Sequence, residues 1–166
     1  LTHIADAQHF YKRRGYVEIA TPWIVSNEAL GATKPPDVKD FSLKCDYYEG
    51  DGMNLCASAE QAFIHMMLSG FSFRENTKYQ STGPCFRIEH EYNEFTYPWF
   101  FKTELMVYAP TDPETAVMNV LFDAMSFFMQ TVGEKYKHHL SFERTPEGID
   151  IQLMGVEIGS YGHRKY

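Results

Sequence analysis

The segment from Tyr79 to Tyr108 constrains the fold more than any other part of this sequence. It contains two runs rich in aromatic and β-branched residues, and a polar segment without helical periodicity separates them. This pattern predicts two antiparallel β-strands joined by a long loop. Because loops on a rigid scaffold often carry binding residues, we expect a ligand site here.

Alternation along the two strands predicts which side chains share a face. Arg87 and Glu89 share one face of the first strand, and Phe100, Lys102 and Glu104 share one face of the returning strand. An arginine, a carboxylate and an aromatic ring on a sheet suit a nucleotide, since guanidinium binds phosphate and a ring stacks on a base. The alternative is a cross-strand ion pair between Arg87 and Glu104 on a half-solvated sheet.

Length and composition indicate one globular domain spanning residues 1–166. The chain of 166 residues is long enough for a full core, and 44% of it is hydrophobic. No apolar run approaches the roughly 18 residues that a membrane span needs, and no charged-then-apolar leader opens the sequence. We therefore expect a soluble, cytoplasmic protein with no membrane segment.

The net charge, the cysteines and the histidines narrow the range of possible partners and metal sites. A net charge of −7 argues against broad non-specific affinity for nucleic acid. Cys45, Cys56 and Cys85 are widely spaced and form no C-x-x-C motif, which favours reduced thiols. The histidines show no zinc-ligand spacing, so we predict no zinc site.

Several helices and loops can be predicted from local signals. Residues 2–14 carry an apolar stripe that ends at Gly15, which predicts an amphipathic helix followed by a strand over residues 16–19. Asp112 with Pro113 predicts the start of a long Met- and Phe-rich helix. Glycines, prolines and scattered charges over residues 27–52 predict a long mobile connection.

Ser58 and Glu60 have both a structural and a functional interpretation. Ser58 with Gln61 fits a capping box at the start of a helix, and Glu60 in the first turn suits the helix dipole. A buried carboxylate also needs a partner, and the ammonium group of an amino acid would supply one.

The segment from Gly148 to Arg164 predicts two short strands that turn at Met154 and Gly155. This turn brings Asp150 and Glu157 to neighbouring positions. Two adjacent carboxylates repel each other unless a cation bridges them, and magnesium bound to ATP would do so. The alternative is that both side chains are exposed to solvent.

Two stretches of the sequence resemble class II aminoacyl-tRNA synthetases. The run FRIE (residues 86–89), a loop, and Phe100 with Glu104 four residues later are similar to motif 2 of that family. A helix, a strand and a proline within residues 1–25 resemble motif 1, which implies a homodimer formed through these residues.

A third stretch resembles the aspartate, asparagine and lysine subclass of the same family. Asp150, Glu157 and Arg164 keep the two seven-residue intervals of aspartate-type members. Ser58 to Glu60 is similar to the short loop that holds the substrate ammonium, and Glu60 stands where lysine enzymes carry glutamate. The resemblance extends from Ile4 to Arg164.

The resemblance implies an α+β fold, with an antiparallel sheet flanked by helices, that activates an amino acid with ATP. The implied catalytic residue is Arg87. The implied ATP-binding residues are Arg87, Glu89, Phe100 and Glu157. The implied amino-acid-binding residues are Ser58, Glu60 and Arg164. Asp150 and Glu157 are the implied Mg²⁺ ligands.

The resemblance leaves open which amino acid is the substrate and whether the protein is a tRNA synthetase. Arg164 favours aspartate or asparagine as the amino acid, whereas Glu60 points to lysine. Thr96 stands where motif 2 usually has a histidine or arginine, and neither motif 3 nor an anticodon-binding domain is present. Two interpretations are open, namely a fragment incomplete at its carboxyl end and a natural paralogue that does not charge tRNA. The alternatives to a tRNA synthetase are a tRNA-independent paralogue, such as an ammonia-dependent asparagine synthetase or a protein-aminoacylating ligase, and a non-catalytic regulatory module.

Overall fold

The structure is a computed structural model and describes residues 2–33, 52–88 and 97–166. Its elements follow in the order α1 (Thr2–Arg13), β1 (Val17–Glu18), β2 (Ile24–Ser26), α2 (Asn27–Thr33), β3 (Met53–Leu55), α3 (Ala59–Leu68), β4 (Thr77–Phe86), β5 (Trp99–Tyr108), α4 (Pro113–Thr131), a 3-10 helix (Glu134–His139), β6 (Leu140–Thr145), β7 (Gly148–Leu153) and β8 (Val156–Tyr161). Strand pairing is antiparallel except between β1 and β4. The predicted α+β fold with helices flanking antiparallel sheets is confirmed.

The central hairpin is formed by β4 and β5, as the aromatic and β-branched runs predicted. Pairing extends from Thr77 opposite Tyr108 to Phe86 opposite Trp99 without a shift in register. The short strand β1 adds to β4 in parallel. The predictions for Glu89 and Thr96 lie outside the described residues.

A second sheet consists of β6, β7 and β8 in that order. The β7–β8 hairpin turns at Met154 and Gly155, which have φ angles of 55° and 80°. Both values lie in the left-handed region that tight hairpin turns require, so the turn confirms the one predicted from the sequence. Strand β6 was not predicted. Most of its side chains are exposed, so its residues show no clear alternation of apolar and polar types.

Helix α4 packs behind both sheets, and α1 packs beside it behind the sheet of β4 and β5. One core cluster joins Phe10, Val120 and Phe127 of the two helices to Leu105 and Val107 of β5. A second cluster joins Leu121 and Ala124 of α4 to Ile149, Ile151 and Ile158 of the β6–β8 sheet. The alternate side chains of β5 and β7 therefore point away from these helices, and we call this side of both sheets the front face.

Helix α3 covers one part of the front face. Phe63 of this helix packs with Phe73 and Tyr79, and Met106 of β5 borders the same cluster. The helix begins at the predicted capping box, in which the Ser58 side chain caps the first turn. The end of β5 nearest Phe100 lies beyond this cluster and borders the cavity described below.

The segment predicted as a mobile connection is in part helical. Residues 27–33 form α2, and Ala29 and Leu30 are buried there. Ala29 packs with Val25 of β2, with Cys56, and with Ala62 and Ile64 of α3. The prediction was wrong for this stretch, because a seven-residue helix is too short to show a clear apolar period. The rest of the predicted connection, residues 34–51, lies outside the described residues.

A charged cluster ties α4 to the first elements of the chain. Asp123 of α4 accepts hydrogen bonds from Arg14 at 2.6 Å, from Lys78 at 2.9 Å and from the Tyr16 hydroxyl at 3.1 Å. Burial alone would raise the pKa of Asp123, but the hydrogen bonds from Lys78 and Arg14 outweigh it and hold the pKa below its usual value. Within the described ranges, none of the helices has the length and apolar character needed to cross a membrane.

Candidate active site

A cavity of about 1530 Å³ is bordered by β5, the start of α3 and the hairpin of β7 and β8, and it extends past the edge of β5 to residues of α1 and α4 such as Tyr11 and Phe127. It brings together six residues that the sequence singled out, namely Ser58, Glu60, Arg87, Asp150, Glu157 and Arg164. These residues come from distant parts of the chain. The folded protein therefore places them around one space.

Arg87 is fixed at one side of this cavity. Its backbone nitrogen donates to the Pro98 oxygen at 3.0 Å, which extends the β4–β5 pairing by one position. Its Nε donates to the Ala57 oxygen at 2.9 Å, and its guanidinium carbon lies 5.1 Å from the centre of the Phe100 ring. The loop before α3 and an aromatic ring thus hold the guanidinium in place.

Lys102 and Glu104 follow Phe100 along the front of β5, and no role was predicted for Lys102 from the sequence. The Lys102 Nζ lies 3.2 Å from Glu104 Oε2, and Ser58 Oγ donates to the same oxygen at 3.4 Å. Glu104 thus pairs with Lys102, not with Arg87 as the alternative interpretation had it. The charge of Glu104 raises the pKa of Lys102, so the lysine stays protonated at neutral pH.

Glu60 lies in the first turn of α3, where Ser58 caps the helix. Burial is the largest cause that raises the pKa of Glu60; the hydrogen bond from the Tyr166 hydroxyl opposes the rise, and the charge of Glu104 adds to it. The carboxylate also lies 3.7 Å from Arg164 Nε. The Glu60 carboxylate is therefore partly desolvated, and a nearby cation stabilises its charged form.

Arg164 is held mainly by Glu147. Its Nη1 donates to the Glu147 backbone oxygen at 2.6 Å, and its Nη2 donates to the Glu147 carboxylate at 3.1 Å. The Glu60 carboxylate lies on the other side, so two carboxylates offset the positive charge of the Arg164 guanidinium. No local sequence pattern predicts the contact with Glu147, because the two residues lie 17 positions apart in different segments.

Asp150 lies on the front face of β7 and is 8% exposed. Its pairing partner on β8 is Ser160, while Glu157 stands opposite Gln152 beyond a register shift. Within the described part of the chain, Asp150 Oδ1 is buried without a hydrogen-bond partner. A buried carboxylate oxygen without a hydrogen-bond partner fits a cation ligand.

The described residues contain no group of three or more His, Cys, Asp or Glu side chains arranged to hold a metal. Asp150 and Glu157 therefore fit a Mg²⁺ ion only if phosphate and water oxygens supply its other ligands, as is usual for this metal.

Two thiols lie beneath the site. Cys56 and Cys85 are buried and reduced. This agrees with the sequence prediction for these two residues, and Cys45 lies outside the described residues.

Comparison with known proteins gives the fold. A pyrrolysyl-tRNA synthetase from Desulfitobacterium hafniense superimposes with a TM-score of 0.65 at 17% identity over 96% of this chain and 56% of that one, and a second structure of this synthetase gives 0.63 at 17% over 94% and 52%. A cytoplasmic serine-tRNA ligase from Naegleria fowleri in complex with AMP gives 0.66 at 20% over 97% and 38%. No family model and no curated protein sequence matches.

The structural likeness covers nearly all of this chain but only about half or less of each synthetase. The chain has the fold of class II aminoacyl-tRNA synthetase catalytic domains. The predicted kinship with the aspartate, asparagine and lysine subclass stays a prediction, since these neighbours are pyrrolysyl and seryl enzymes.

Proposed function

We propose that this chain is an amino-acid-activating catalytic domain, spanning residues 1–166, that joins an amino acid to ATP as an aminoacyl-adenylate. The observation that carries the proposal is that Arg87, Asp150 and Glu157 border one cavity. The fold shared with class II synthetases supports the proposal. The sequence resemblance to that family rests on the same three residues.

The reaction would proceed by direct displacement. A carboxylate oxygen of the amino acid attacks the α-phosphorus of ATP, a new O–P bond forms, and the bond to pyrophosphate breaks. The carboxylate is ionised at neutral pH and the leaving group departs as an anion, so no general base is needed. Catalysis then depends on positioning and on neutralising charge.

Arg87 would neutralise the charge that develops on the α-phosphate. Phe100 would stack on adenine, with Glu89 accepting from the adenine amino group. The AMP in the serine-tRNA ligase structure supports a nucleotide site on this fold. Asp150 and Glu157 would hold Mg²⁺, which when bound supplies charge neutralisation at the phosphates, and the unpartnered oxygen of Asp150 supports this assignment.

The amino acid would lie near the start of α3. Glu60 would accept from its ammonium group with Ser58 beside it, and Arg164 would contact its side chain. We favour aspartate or asparagine from the spacing of Arg164, although Glu147 and Glu60 already balance the charge of this arginine. An uncharged side chain would therefore fit the surroundings of Arg164 as well as an acidic one.

We further propose a cytoplasmic homodimer formed through residues 1–25. Val17 and Trp23 support this assignment, since their side chains are 50% and 58% exposed. Burying such apolar surface in a subunit interface would stabilise the dimer.

Exchange of labelled pyrophosphate into ATP tests the proposal. Purified protein is incubated with Mg²⁺, ATP and each of the twenty amino acids in turn. We expect one amino acid, or a small related set, to support exchange. Absence of exchange with every amino acid would contradict the proposal and favour the regulatory module.

A tRNA-independent ligase is the second candidate. The net charge of −7 favours it, because transfer to tRNA needs a surface that attracts phosphate. Adding tRNA, ammonia or a protein acceptor to the pre-formed adenylate, and following the labelled amino acid, separates the candidates.

A further inference from the structure

Lys102 is a cation of the cavity to which the assignments above give no role. It lies between two parts of the site along the front of β5. Phe100, which contacts Arg87, precedes it by two residues, and Glu104, which accepts from Ser58, follows it by two residues. Each such step along a strand is roughly 6.6 Å.

Electrostatic coupling supports the same placement. The charge of Glu104 raises the pKa of Lys102, with burial and the charge of Arg87 opposing the rise. Lys102 is also among the cations that oppose the burial-driven rise in the pKa of Glu60. The ammonium group therefore lies within range of both the proposed phosphate-binding arginine and the proposed ammonium-binding carboxylate.

The chemistry of an α-amino acid defines what must lie at this point. One carbon carries both the ammonium group and the carboxylate, so a substrate held by Glu60 places its carboxylate close to that residue. The same carboxylate must reach the α-phosphate held by Arg87. The nucleophile thus passes between these two residues, and Lys102 lines the same cavity beside Glu104.

We propose that Lys102 binds the carboxylate of the substrate amino acid and holds it for attack on the α-phosphate. This inference rests on the proposed amino-acid activation and extends it to the nucleophile.

During the attack one carboxylate oxygen bonds to phosphorus and pyrophosphate leaves. The other oxygen keeps its contact with the Lys102 ammonium, which neither gains nor loses a proton. The lysine reduces the repulsion between two anions that must approach each other, and this repulsion is largest in a partly desolvated site. Glu104 and Ser58 act as positioning residues that hold the lysine between the two subsites.

The alternative is that Lys102 serves only as the ion-pair partner of Glu104. The pair is partly exposed, with 38% of the Lys102 side chain and 18% of the Glu104 side chain accessible. In that case loss of the lysine would weaken the binding of every ligand near Glu104 to a similar degree. A ligand without a carboxylate therefore separates the two roles.

The experiment compares wild type with Lys102→Met, using two ligands. The first is the amino acid that supports pyrophosphate exchange in wild type, and the second is its amino alcohol, in which a hydroxymethyl group replaces the carboxylate. Calorimetry with α,β-methylene-ATP present measures the affinity of each. We expect Lys102→Met to weaken binding of the amino acid at least tenfold, to leave the amino alcohol within about twofold, and to lower kcat/KM for exchange about 10²-fold.

Three controls complete the test. Lys102→Arg keeps the charge and should restore much of the exchange. Lys135→Met removes an exposed lysine remote from the cavity and should change neither binding nor exchange. Affinity for ATP alone should stay at the wild-type value in all variants.

Two results would overturn this inference and leave the proposed function standing: equal weakening of amino acid and amino alcohol binding, or unchanged exchange in Lys102→Met. Absence of exchange in wild type with all twenty amino acids would overturn both.

Discussion

Arg87 is the residue on which the proposed chemistry most depends. Its guanidinium is fixed by Ala57 and Phe100, so it is oriented before any ligand binds. Fixed donors at a site of developing charge typically contribute two to three decades in rate.

We predict that Arg87→Ala lowers pyrophosphate exchange by about 10²- to 10³-fold while the melting temperature changes little. The side chain follows the end of β4 and is not part of a core cluster, so its loss leaves the packing intact. Arg74→Ala, at an exposed position, is the matched control. Exchange at the wild-type rate in Arg87→Ala would remove the residue from the mechanism.

Asp150 gives a second prediction at this scale. Asp150→Asn keeps the shape of the side chain but removes the charge that a divalent cation requires. We expect the Mg²⁺ concentration for half-maximal exchange to rise tenfold or more, as measured by Mg²⁺ titration at saturating ATP. The same substitution at the exposed Asp6 should not move this midpoint. An unchanged midpoint in Asp150→Asn would show that the metal lies elsewhere.

Individual side chains were predictable from the sequence only in part. Alternation placed Lys102 on the same face as Phe100 and Glu104, but it gave no partner for the lysine. The contact between Arg164 and Glu147 depends on how the chain after β8 passes the β6–β7 turn, and local patterns do not report such a path. Residue type and face are local properties, whereas pairing across segments is set by the tertiary fold.

At the scale of elements, the start of α3 serves both the fold and the site. Ser58 caps the helix, and its Oγ also donates to Glu104 at 3.4 Å. Asp112 caps α4 in the same way, with its carboxylate accepting from the Thr115 nitrogen at 3.2 Å. The two caps therefore form a matched pair, of which Ser58 lines the cavity and Asp112 does not.

We predict that Ser58→Ala lowers the free energy of unfolding by about 1 kcal/mol, because the first turn loses its side-chain cap. Asp112→Ala should also destabilise the protein for the same reason. Only Ser58→Ala should reduce exchange, since it alone loosens Glu104. Urea denaturation and exchange assays on both variants check this, and equal activity in the two would assign Ser58 a capping role alone.

Elements with strong local signals were predictable. The hairpin of β4 and β5, both N-caps and the turn at Met154 and Gly155 follow from alternation, capping residues and turn residues. Helix α2 and strand β6 were missed because short or largely exposed elements carry little periodicity. Tertiary contacts, such as those of Ala29 in its core cluster, stabilise them instead.

At the scale of the whole molecule, Asp123 links α4 to α1 and β4. The buried carboxylate is paired with Arg14 and Lys78, which are themselves 38% and 31% exposed. Loss of one partner from a fully buried pair costs about 3 to 5 kcal/mol. The cost here is smaller because both cations can be rehydrated.

We predict that Asp123→Asn lowers the free energy of unfolding by about 2 kcal/mol at pH 7. The pKa of Asp123 in the folded protein lies below its unfolded value of about 3.9, so this contribution is present above that pH and is lost as the pH falls through the folded pKa. The difference between wild type and variant should therefore shrink below about pH 4 in urea denaturation curves. A difference that is constant down to pH 2 would contradict the ionic origin.

The placement of α4 has a consequence for how such a chain can diverge. Within the described residues, β5 and β8 belong to separate sheets, and the apolar side chains of α4 support both from behind. A hydrogen-bonded ladder changes spacing only in whole-residue steps, whereas side-chain packing changes it gradually with volume. Substitutions along this one helix can therefore change the distance between the sheet proposed to bind the nucleotide and the sheet proposed to bind the cation, without altering any residue proposed to contact a substrate.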